Sequence, residues 1–155
     1  FGGIAIHDRG VIIEANQGLT AMTGFSYDQL IGMDGLLLIA PTHRHLALQH
    51  IESGYEEPYE AVGIRNDKST FPLEIQGKQI PYKGKVLRVT EFRDITQRKE
   101  YERTITDTEV KYKQIIDFAV DGFAIGNKEG VIIEVNNRLI EISGKRRDQV
   151  LGKHL

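Results

Sequence analysis

The chain reads Gly10-Val11-Ile12-Ile13-Glu14-Ala15-Asn16 and, 120 residues later, Gly130-Val131-Ile132-Ile133-Glu134-Val135-Asn136. The similarity continues beyond these segments, because 11 of the 23 positions from 10 to 32 are identical to those from 130 to 152. Self-similarity at a fixed period indicates a repeated structural unit. The sequence therefore predicts one complete unit followed by the opening third of a second.

A β-hairpin is predicted at the start of the first unit. Residues 4–6 and 11–14 are rich in β-branched side chains, and His7-Asp8-Arg9-Gly10 joins them. The Asp and Gly of this connection suit a tight turn. The corresponding hairpin of the second unit lacks the later strands of a sheet, so we expect residues 120–155 to be ordered by packing on another chain or on the first unit.

Three short helices are predicted after the first hairpin. The first covers residues 17–23, with Asn16 as its N-cap. The second opens at Ser26, which forms a capping-box pattern with the residue three positions later. The third covers residues 43–53 and starts at Pro41-Thr42. Each helix is followed by a glycine that suits its end: Gly24, Gly32 and Gly54.

Three strands follow the helices. Residues 59–64, 71–80 and 85–93 alternate or nearly alternate in polarity and are separated by turn-forming residues. Pro72 and Pro81 lack an N–H donor and are expected where no ladder hydrogen bond is needed. The order ββαααβββ predicts an α+β fold, a five-stranded antiparallel sheet with short helices on one face.

A long connector helix is predicted over residues 96–119. Small and apolar residues recur at intervals of four and three, which gives a seam near 3.5 residues per turn. This spacing predicts pairing with the same helix of a second chain, so we expect a homodimer. The alternative is an amphipathic helix packed on its own domain. The seam residues are Tyr101, Ile105, Thr108, Tyr112, Ile115 and Ala119.

The predicted domain organisation has three parts. They are a first domain over 1–96, a helical coiled-coil linker over 97–119 and the N-terminal part of a second domain over 120–155. The linker lies between the two repeats, which makes it the connection through which they would communicate.

Composition limits the classes of function. A formal charge of −2 and a pI of about 6.2 provide no basic surface for nucleic acid. The chain has no Cys, which excludes disulfides, thiolate nucleophiles and Cys-ligated metals. It also lacks an apolar run of about 18 residues. We therefore expect a cytoplasmic domain without direct membrane contact.

Several of these segments resemble the PAS/PAC family of sensor domains. They are the hairpin with residues 10–16, Thr23-Gly24-Phe25-Ser26, Leu30-Ile31-Gly32, Arg65-Asn66-Asp67-Lys68-Ser69-Thr70-Phe71-Pro72 and Arg93-Asp94-Ile95-Thr96-Gln97-Arg98-Lys99. The resemblance covers residues 1–99, and 120–155 repeats its opening. It implies a cleft for a small molecule or a protein between sheet and helices, and a role in a bacterial or archaeal signalling protein.

One residue departs from the family pattern. The turn of the family usually reads Lys-Asp-Gly-Ser, whereas Lys68 occupies the Gly position here. If the turn needs a positive φ at this position, Lys68 carries a strain of roughly 1 kcal/mol that Gly would relieve.

No catalytic constellation is present in the sequence. It has no phosphate-binding Gly-rich loop and no nucleophile elbow, so we expect the fragment to be non-catalytic. The absence of Cys excludes the covalent flavin adduct and the thioester chromophore of the photosensors that resemble it. The cofactor is therefore unknown, and the sequence leaves two alternatives, a non-covalent ligand or none. Heme is an alternative, because His43 and His50 share one face of the third helix with Leu46.

Apolar residues of the predicted sheet and helices are candidates for the lining of a ligand pocket, although most of them also suit an ordinary core. They are Met22, Phe25, Leu30, Ile39, Leu46, Ile51, Val62, Leu73 and Val89. Asp94 and Thr96 lie where the last strand meets the connector helix. We expect Thr96 to cap that helix and Asp94 to tie the cap to the sheet or to a basic side chain.

Two functional hypotheses follow. In the first, the chain is a sensory module that detects a small molecule or partner and relays it through paired connector helices to an output domain, such as a histidine kinase or diguanylate cyclase, outside the sequence. In the second, it is a ligand-free interaction module that holds a dimer. The absorption spectrum separates a heme or flavin protein from a colourless one.

Overall fold

A computed structural model describes residues 2–154 of the chain. It divides into two compact units, one up to Glu100 and the other from Tyr101 onward. The first unit contains a five-stranded antiparallel sheet in the order β2-β1-β5-β4-β3. Its strands are β1 (Gly3–Asp8), β2 (Val11–Ala15), β3 (Tyr59–Ile64), β4 (Thr70–Tyr82) and β5 (Lys85–Asp94).

The helices of this unit lie between β2 and β3 in the chain. They are α1 (Gln17–Thr23), α2 (Tyr27–Leu30), a 3-10 helix (Gly35–Leu38) and α3 (Pro41–Ser53). The sequence did not indicate the 3-10 helix, and α3 begins at Pro41 rather than at residue 43. Leu19, Leu30, Leu38 and Ala47 of these helices are buried with inward side chains of the sheet. The predicted fold, an antiparallel sheet with helices packed on it, is confirmed.

Asn16 holds the hairpin against α1. Its side-chain oxygen accepts the N–H groups of Leu19 at 2.9 Å and Ile4 at 2.8 Å, and its amide donates to the Gly2 carbonyl at 3.2 Å. Asn136 makes equivalent bonds in the second unit, to the N–H groups of Leu139 and Phe123 at 3.0 Å. In each copy the Asn side chain caps a helix and also bonds to the first strand of the hairpin. This double role explains why both copies have Asn at the position that follows the hairpin.

The β1–β2 turn is shorter than the sequence suggested. Asp8 pairs with Val11, so only Arg9 and Gly10 form the loop, both with positive φ. A two-residue loop of this type matches the twist of the flanking strands. As a result His7 lies inside β1, opposite Arg88 of β5, and not in the turn as predicted.

Lys68 has a positive φ of 70°, as the resemblance implied. The turn around it is closed by the Lys68 N–H, which donates to the Arg65 carbonyl at 3.0 Å. Asp67 accepts the Ser69 N–H at 2.9 Å and the Ser69 hydroxyl at 2.6 Å. The lysine therefore occupies a left-handed position that Gly would adopt at lower cost.

The remaining elements begin with the long helix α4 (Thr96–Phe118), one residue shorter at its C-terminus than predicted. They continue with β6 (Ala124–Gly126), β7 (Ile132–Val135), α5 (Asn137–Ser143) and α6 (Arg147–Val150). In the second unit β6 and β7 form an antiparallel pair, and Ile116, Ile132, Val135 and Asn136 are buried. The separate linker and the packing of residues 120–155 on another chain stay predictions.

Candidate functional site

The first unit contains an internal cavity between the inner face of the sheet, the 3-10 helix and α3. Its volume is about 30 Å³, room for roughly two water molecules. Most of its wall is apolar, but four lining side chains are polar. The apolar lining includes Ala5, Ile12, Leu36, Ile39, Ala47, Ile51, Ile75 and Phe92, and the polar side chains are His7, Tyr59, Arg88 and Thr90.

The alternation of β5 determines which of its side chains reach the cavity. Arg88, Thr90 and Phe92 line it, whereas Val89 lies on the opposite face of the sheet beside Glu91. Successive residues of a strand point to opposite faces, so a shift of one position exchanges the inward and outward sets. The prediction that Val89 lines the pocket is wrong for this reason.

Arg88 is buried in the cavity wall, with 6% of its surface exposed. One terminal nitrogen, Nη2, donates to the Tyr55 carbonyl, but the other, Nη1, has no hydrogen-bond partner among residues 2–154. Within the same described range Arg88 also makes no ion pair with a carboxylate. The guanidinium lies over Gly77, where a Cβ would overlap it. Gly77 therefore provides the space that the arginine occupies.

His7 and Thr90 form a hydrogen-bonded pair beside Arg88. His7 Nδ1 accepts the Gly10 N–H at 3.0 Å, and His7 Nε2 lies 3.0 Å from Thr90 Oγ1. Because a backbone N–H only donates, a neutral His7 carries its proton on Nε2 and donates it to Thr90. Burial and the nearby Arg88 charge lower the pKa of His7, although Asp8 opposes them, which favours the neutral ring at pH 7. The Thr90 hydroxyl proton is then not used in this pair.

An aromatic cluster flanks the polar groups. The His50 ring lies 4.1 Å from the Tyr55 ring and 4.3 Å from the Tyr59 ring, measured between centroids. Burial raises the pKa of Tyr59, and the charge of Arg88 opposes this effect. His50 Nδ1 is buried, and no described residue is its hydrogen-bond partner.

The histidines proposed for heme do not meet the requirements of that group. Neither His43 nor His50 lines the cavity, and His43 Nδ1 lies 3.0 Å from Thr42 Oγ1 at the start of α3. The cavity is also at least tenfold smaller than the several hundred Å³ of a pocket for a large organic ligand. The residues present therefore do not fit heme or a flavin in this conformation.

The structure separates the predicted pocket residues into several environments. Ile39 and Ile51 line the cavity. Leu30 and Leu73 are completely buried in the core and do not line it. Leu46 is exposed on α3, so it lies neither in the core nor in the cavity wall. The other predicted residues are partly buried outside the cavity wall, namely Met22, Phe25 and Val62.

The end of β5 is tied to the start of α4 by Asp94. Its Oδ1 accepts the Thr96 N–H at 2.9 Å and the Thr96 hydroxyl at 2.5 Å, and its Oδ2 lies 2.8 Å from Arg65 Nη2. Asp94 is thus tied to a basic side chain, as expected. The capping role expected of Thr96 is taken by Asp94, and Thr96 donates to it. Burial alone would raise the pKa of Asp94, but the bonds from Thr96 and Arg65 outweigh it and lower this pKa.

Arg65 and Arg98 attach the same junction to other elements. Arg65 also donates to the Met22 carbonyl in α1, and its guanidinium lies 3.9 Å above the Phe71 ring. Arg98, in the first turn of α4, contacts Glu74 at 3.0 Å and Glu60 at 2.9 Å. These two glutamates are opposite each other on β4 and β3, and Arg98 contacts both of them. Lys99 also contacts Glu60 at 2.7 Å, and Arg93 contacts Glu74 at 3.7 Å.

The predicted seam of α4 is exposed to solvent in the single chain. Tyr101 and Ile115 each have 71% of their surface exposed, and Ile105 has 61%. Thr108 and Tyr112 are also exposed, whereas Ala119 lies beyond the last helical residue, Phe118.

Metal ligation and membrane insertion are the two remaining questions for residues 2–154. Their His, Asp and Glu side chains include no group of three or more arranged to hold a metal ion. Within that same part of the chain, no helix combines the length and the apolar character needed to cross a bilayer.

Comparison with known proteins identifies the fold. Similar solved structures include the PAS domain of an HTR-like protein from Haloarcula marismortui, with 20% identity, coverage of 61% of this chain and 81% of that chain, and a TM-score of 0.55. A PAS domain from Colwellia psychrerythraea has 24% identity, coverage of 62% and 87%, and a TM-score of 0.55. The LOV domain of a blue-light activated histidine kinase from Erythrobacter litoralis has 17% identity, coverage of 61% and 96%, and a TM-score of 0.53.

A search of curated proteins found no significant match. The family model described as "PAS domain" matches residues 3–97 and residues 120–155, which together are most of the chain. This match agrees with the five-stranded antiparallel sheet, its covering helices and the internal cavity. The chain belongs to the PAS domain family.

Proposed function

We propose that this PAS domain is a cytoplasmic sensor in which the occupancy of the cavity changes the state of α4. PAS domains are generally sensory and non-catalytic modules of signal transduction. The proposal adds a route inside the domain, a dimeric α4 and an output domain such as a histidine kinase or diguanylate cyclase in the parent protein.

One observation carries this proposal: β5 bears both the cavity wall and the helix cap. Arg88 and Thr90 line the cavity, and Asp94, four residues further along the same strand, accepts the Thr96 N–H at 2.9 Å. A strand resists stretching and is held on both sides, by β1 and β4. A displacement at Arg88 is therefore transmitted along β5 to the first turn of α4.

The junction has two groups of contacts that such a displacement would change. Asp94 is held by Arg65, which also donates to α1. Arg98 is held by the glutamates of β3 and β4. A ligand that binds one arrangement of these contacts more tightly shifts the population of α4 toward that arrangement. A difference of about 1.4 kcal/mol changes the ratio of the two states tenfold.

The exposed seam supports a paired helix as the output. A stripe with a spacing near 3.5 residues has its apolar side chains in water in the single chain, and burial against a second copy would remove them from it. The chain has no Cys, so the change Ile105→Cys introduces a unique thiol for cross-linking.

The experiment measures disulfide formation between Ile105→Cys chains, with Arg103→Cys on another face of α4 as the matched control. We expect rapid cross-linking at position 105, slow cross-linking at position 103, and a changed rate at 105 when Asp94 and Thr96 are replaced by Ala. The same double replacement in the parent protein should alter its output. Equal rates at the two positions contradict the paired helix, and an output unchanged under every stimulus contradicts the relay.

The second hypothesis, a ligand-free interaction module, is favoured by the small volume of the cavity, about 30 Å³. It predicts that α4 pairs at Ile105 and that no compound alters the cross-linking rate. The purified protein would then be colourless and free of bound small molecules.

A further inference from the structure

Arg88 is a buried charged side chain in the wall of the cavity. Arginine is protonated at every physiological pH, and a buried charge is costly unless it is paired. No carboxylate among residues 2–154 forms an ion pair with Arg88, and its Nη1 has no hydrogen-bond partner in that range. The cavity wall therefore contains a positive charge, and one buried donor of that guanidinium has no partner among the described residues.

A second donor lies in the same wall. His7 Nε2 donates to Thr90 Oγ1 at 3.0 Å, and Gly10 holds the ring in the required tautomer. The Thr90 oxygen then accepts this bond, so its own proton is not used in the pair, and Thr90 is a second donor in the cavity wall. Two donors, one of them charged, are the arrangement that binds the two oxygens of a carboxylate.

The rest of the wall selects among anions. The cavity is otherwise lined mainly by apolar side chains, including Ala5, Ile39, Ala47 and Phe92. Phosphate or sulfate would place some of its oxygens against these apolar side chains, where the oxygens would have no hydrogen-bond donor, and this is unfavourable. A carboxylate with an aliphatic end has its polar atoms on the donors and its apolar atoms on the wall.

We propose that the cavity binds a short aliphatic monocarboxylate of the size of formate or acetate, through Arg88 and Thr90. The size follows from the volume of about 30 Å³, which accommodates roughly two water-sized groups. This inference rests on the proposed sensory function and specifies the chemical class of its ligand.

The first experiment measures the thermal unfolding of the 155-residue chain in sodium formate, acetate, propionate and butyrate. Sodium chloride and sodium phosphate at equal ionic strength are the controls. We expect formate or acetate to raise Tm by about 3–6 °C at a tenfold excess over its Kd, with smaller effects for propionate and butyrate. Equal shifts in chloride, larger shifts with butyrate, or no shift with any carboxylate would each overturn the proposal, the last because the cavity then holds only water.

The second experiment uses Arg88→Met, with Arg93→Met as the matched control on the same strand. Arg93 is exposed and points away from the cavity. We expect Arg88→Met to lose the carboxylate-induced shift and Arg93→Met to keep it. Replacing an unpaired buried charge by an apolar side chain of similar length should leave folding intact. A carboxylate shift retained in Arg88→Met would contradict the inference.

Thr90→Val provides an independent variant if Arg88→Met does not fold. It has nearly the shape of Thr but lacks the hydroxyl donor. Calorimetric titration with acetate should show at least a tenfold weaker affinity, and an affinity equal to that of the unaltered chain would overturn the proposed site.

The inference of a carboxylate ligand and the proposal of a relay through β5 can each be refuted without the other. If acetate binds but leaves the cross-linking rate at Ile105→Cys unchanged, the ligand inference stands and the proposed relay is wrong. If acetate does not bind while the replacement of Asp94 and Thr96 alters output in the parent, the relay stands and the ligand inference is wrong.

Discussion

Replacement of Asp94 tests the junction between sheet and helix most directly. In Asp94→Ala the cap of α4 is lost, which costs about 1 kcal/mol. The ion pair with Arg65 is lost as well, and because both side chains are about 30% exposed its contribution is only about 0.5–1 kcal/mol. The free energy of unfolding of the first unit should therefore fall by about 1.5–2 kcal/mol.

Asp94→Asn separates the two contributions. The amide oxygen can still accept the Thr96 N–H, but the charge is absent, so we expect a loss of only about 0.5–1 kcal/mol. Urea unfolding followed by circular dichroism measures both variants. A double-mutant cycle with Arg65→Met should give a coupling energy equal to the ion-pair contribution.

The pH dependence of this difference provides a second measurement. Since the pKa of Asp94 is lowered in the folded chain, its contribution is present above the ordinary carboxyl value of 3.8 and disappears as the pH falls through the folded pKa. The difference between the unaltered chain and Asp94→Asn should be constant from pH 7 to 5 and vanish in stronger acid. Asp94→Ala within 0.5 kcal/mol of the unaltered chain at pH 7, or a difference that grows in acid, would refute the assignment.

Three other predictions concern single positions. Lys68→Gly should raise the free energy of unfolding by up to about 1 kcal/mol in urea titrations, because Gly relieves the positive φ, whereas Lys78→Gly in β4 should lower it. His7→Gln should reduce the loss of Tm as the pH falls below the ordinary imidazole value of 6.5, because the lowered pKa of His7 in the folded chain makes protonation of the unfolded chain destabilising there. Arg98→Gln should speed hydrogen exchange in the first turns of α4, since Glu60 and Glu74 lose a shared partner, and Arg103→Gln should have no such effect.

Most of the fold was predictable because its signals are local. The periodicity of β-branched residues placed the strands, and Asn16 and Gly24 placed the boundaries of α1. The repeat at a period of 120 gave the second unit. Lys68 was identified as a residue with positive φ only through the family pattern, since a lone lysine in a turn carries no such signal.

The residues that line the cavity were harder to predict from the sequence, for a physical reason. The pocket prediction selected apolar residues, because these normally face the interior of a sheet. In β5 the inward positions are held by Arg88 and Thr90, and the apolar Val89 points outward. The junction was easier to locate, because Asp94 and Thr96 lie at a strand-to-helix boundary, yet the direction of their hydrogen bond required the structure.

The two copies of the repeat show that the cavity polar groups are not required by the hairpin itself. The pairing of the two hairpins aligns Ile6 with Ile125, so the position of His7 corresponds to Gly126, which pairs with Ile132 as His7 pairs with Ile12. The loop that follows in the second copy is one residue longer, and there the Asn127 side-chain oxygen accepts the N–H groups of Glu129 at 2.9 Å and Val131 at 3.0 Å. The second hairpin therefore forms without an imidazole at this position. His7 instead reaches Thr90 beside the unpaired Arg88, an arrangement that departs from the local rule of apolar inward residues. Such departures are concentrated at functional sites, where residues that bind a ligand replace residues that would give higher stability.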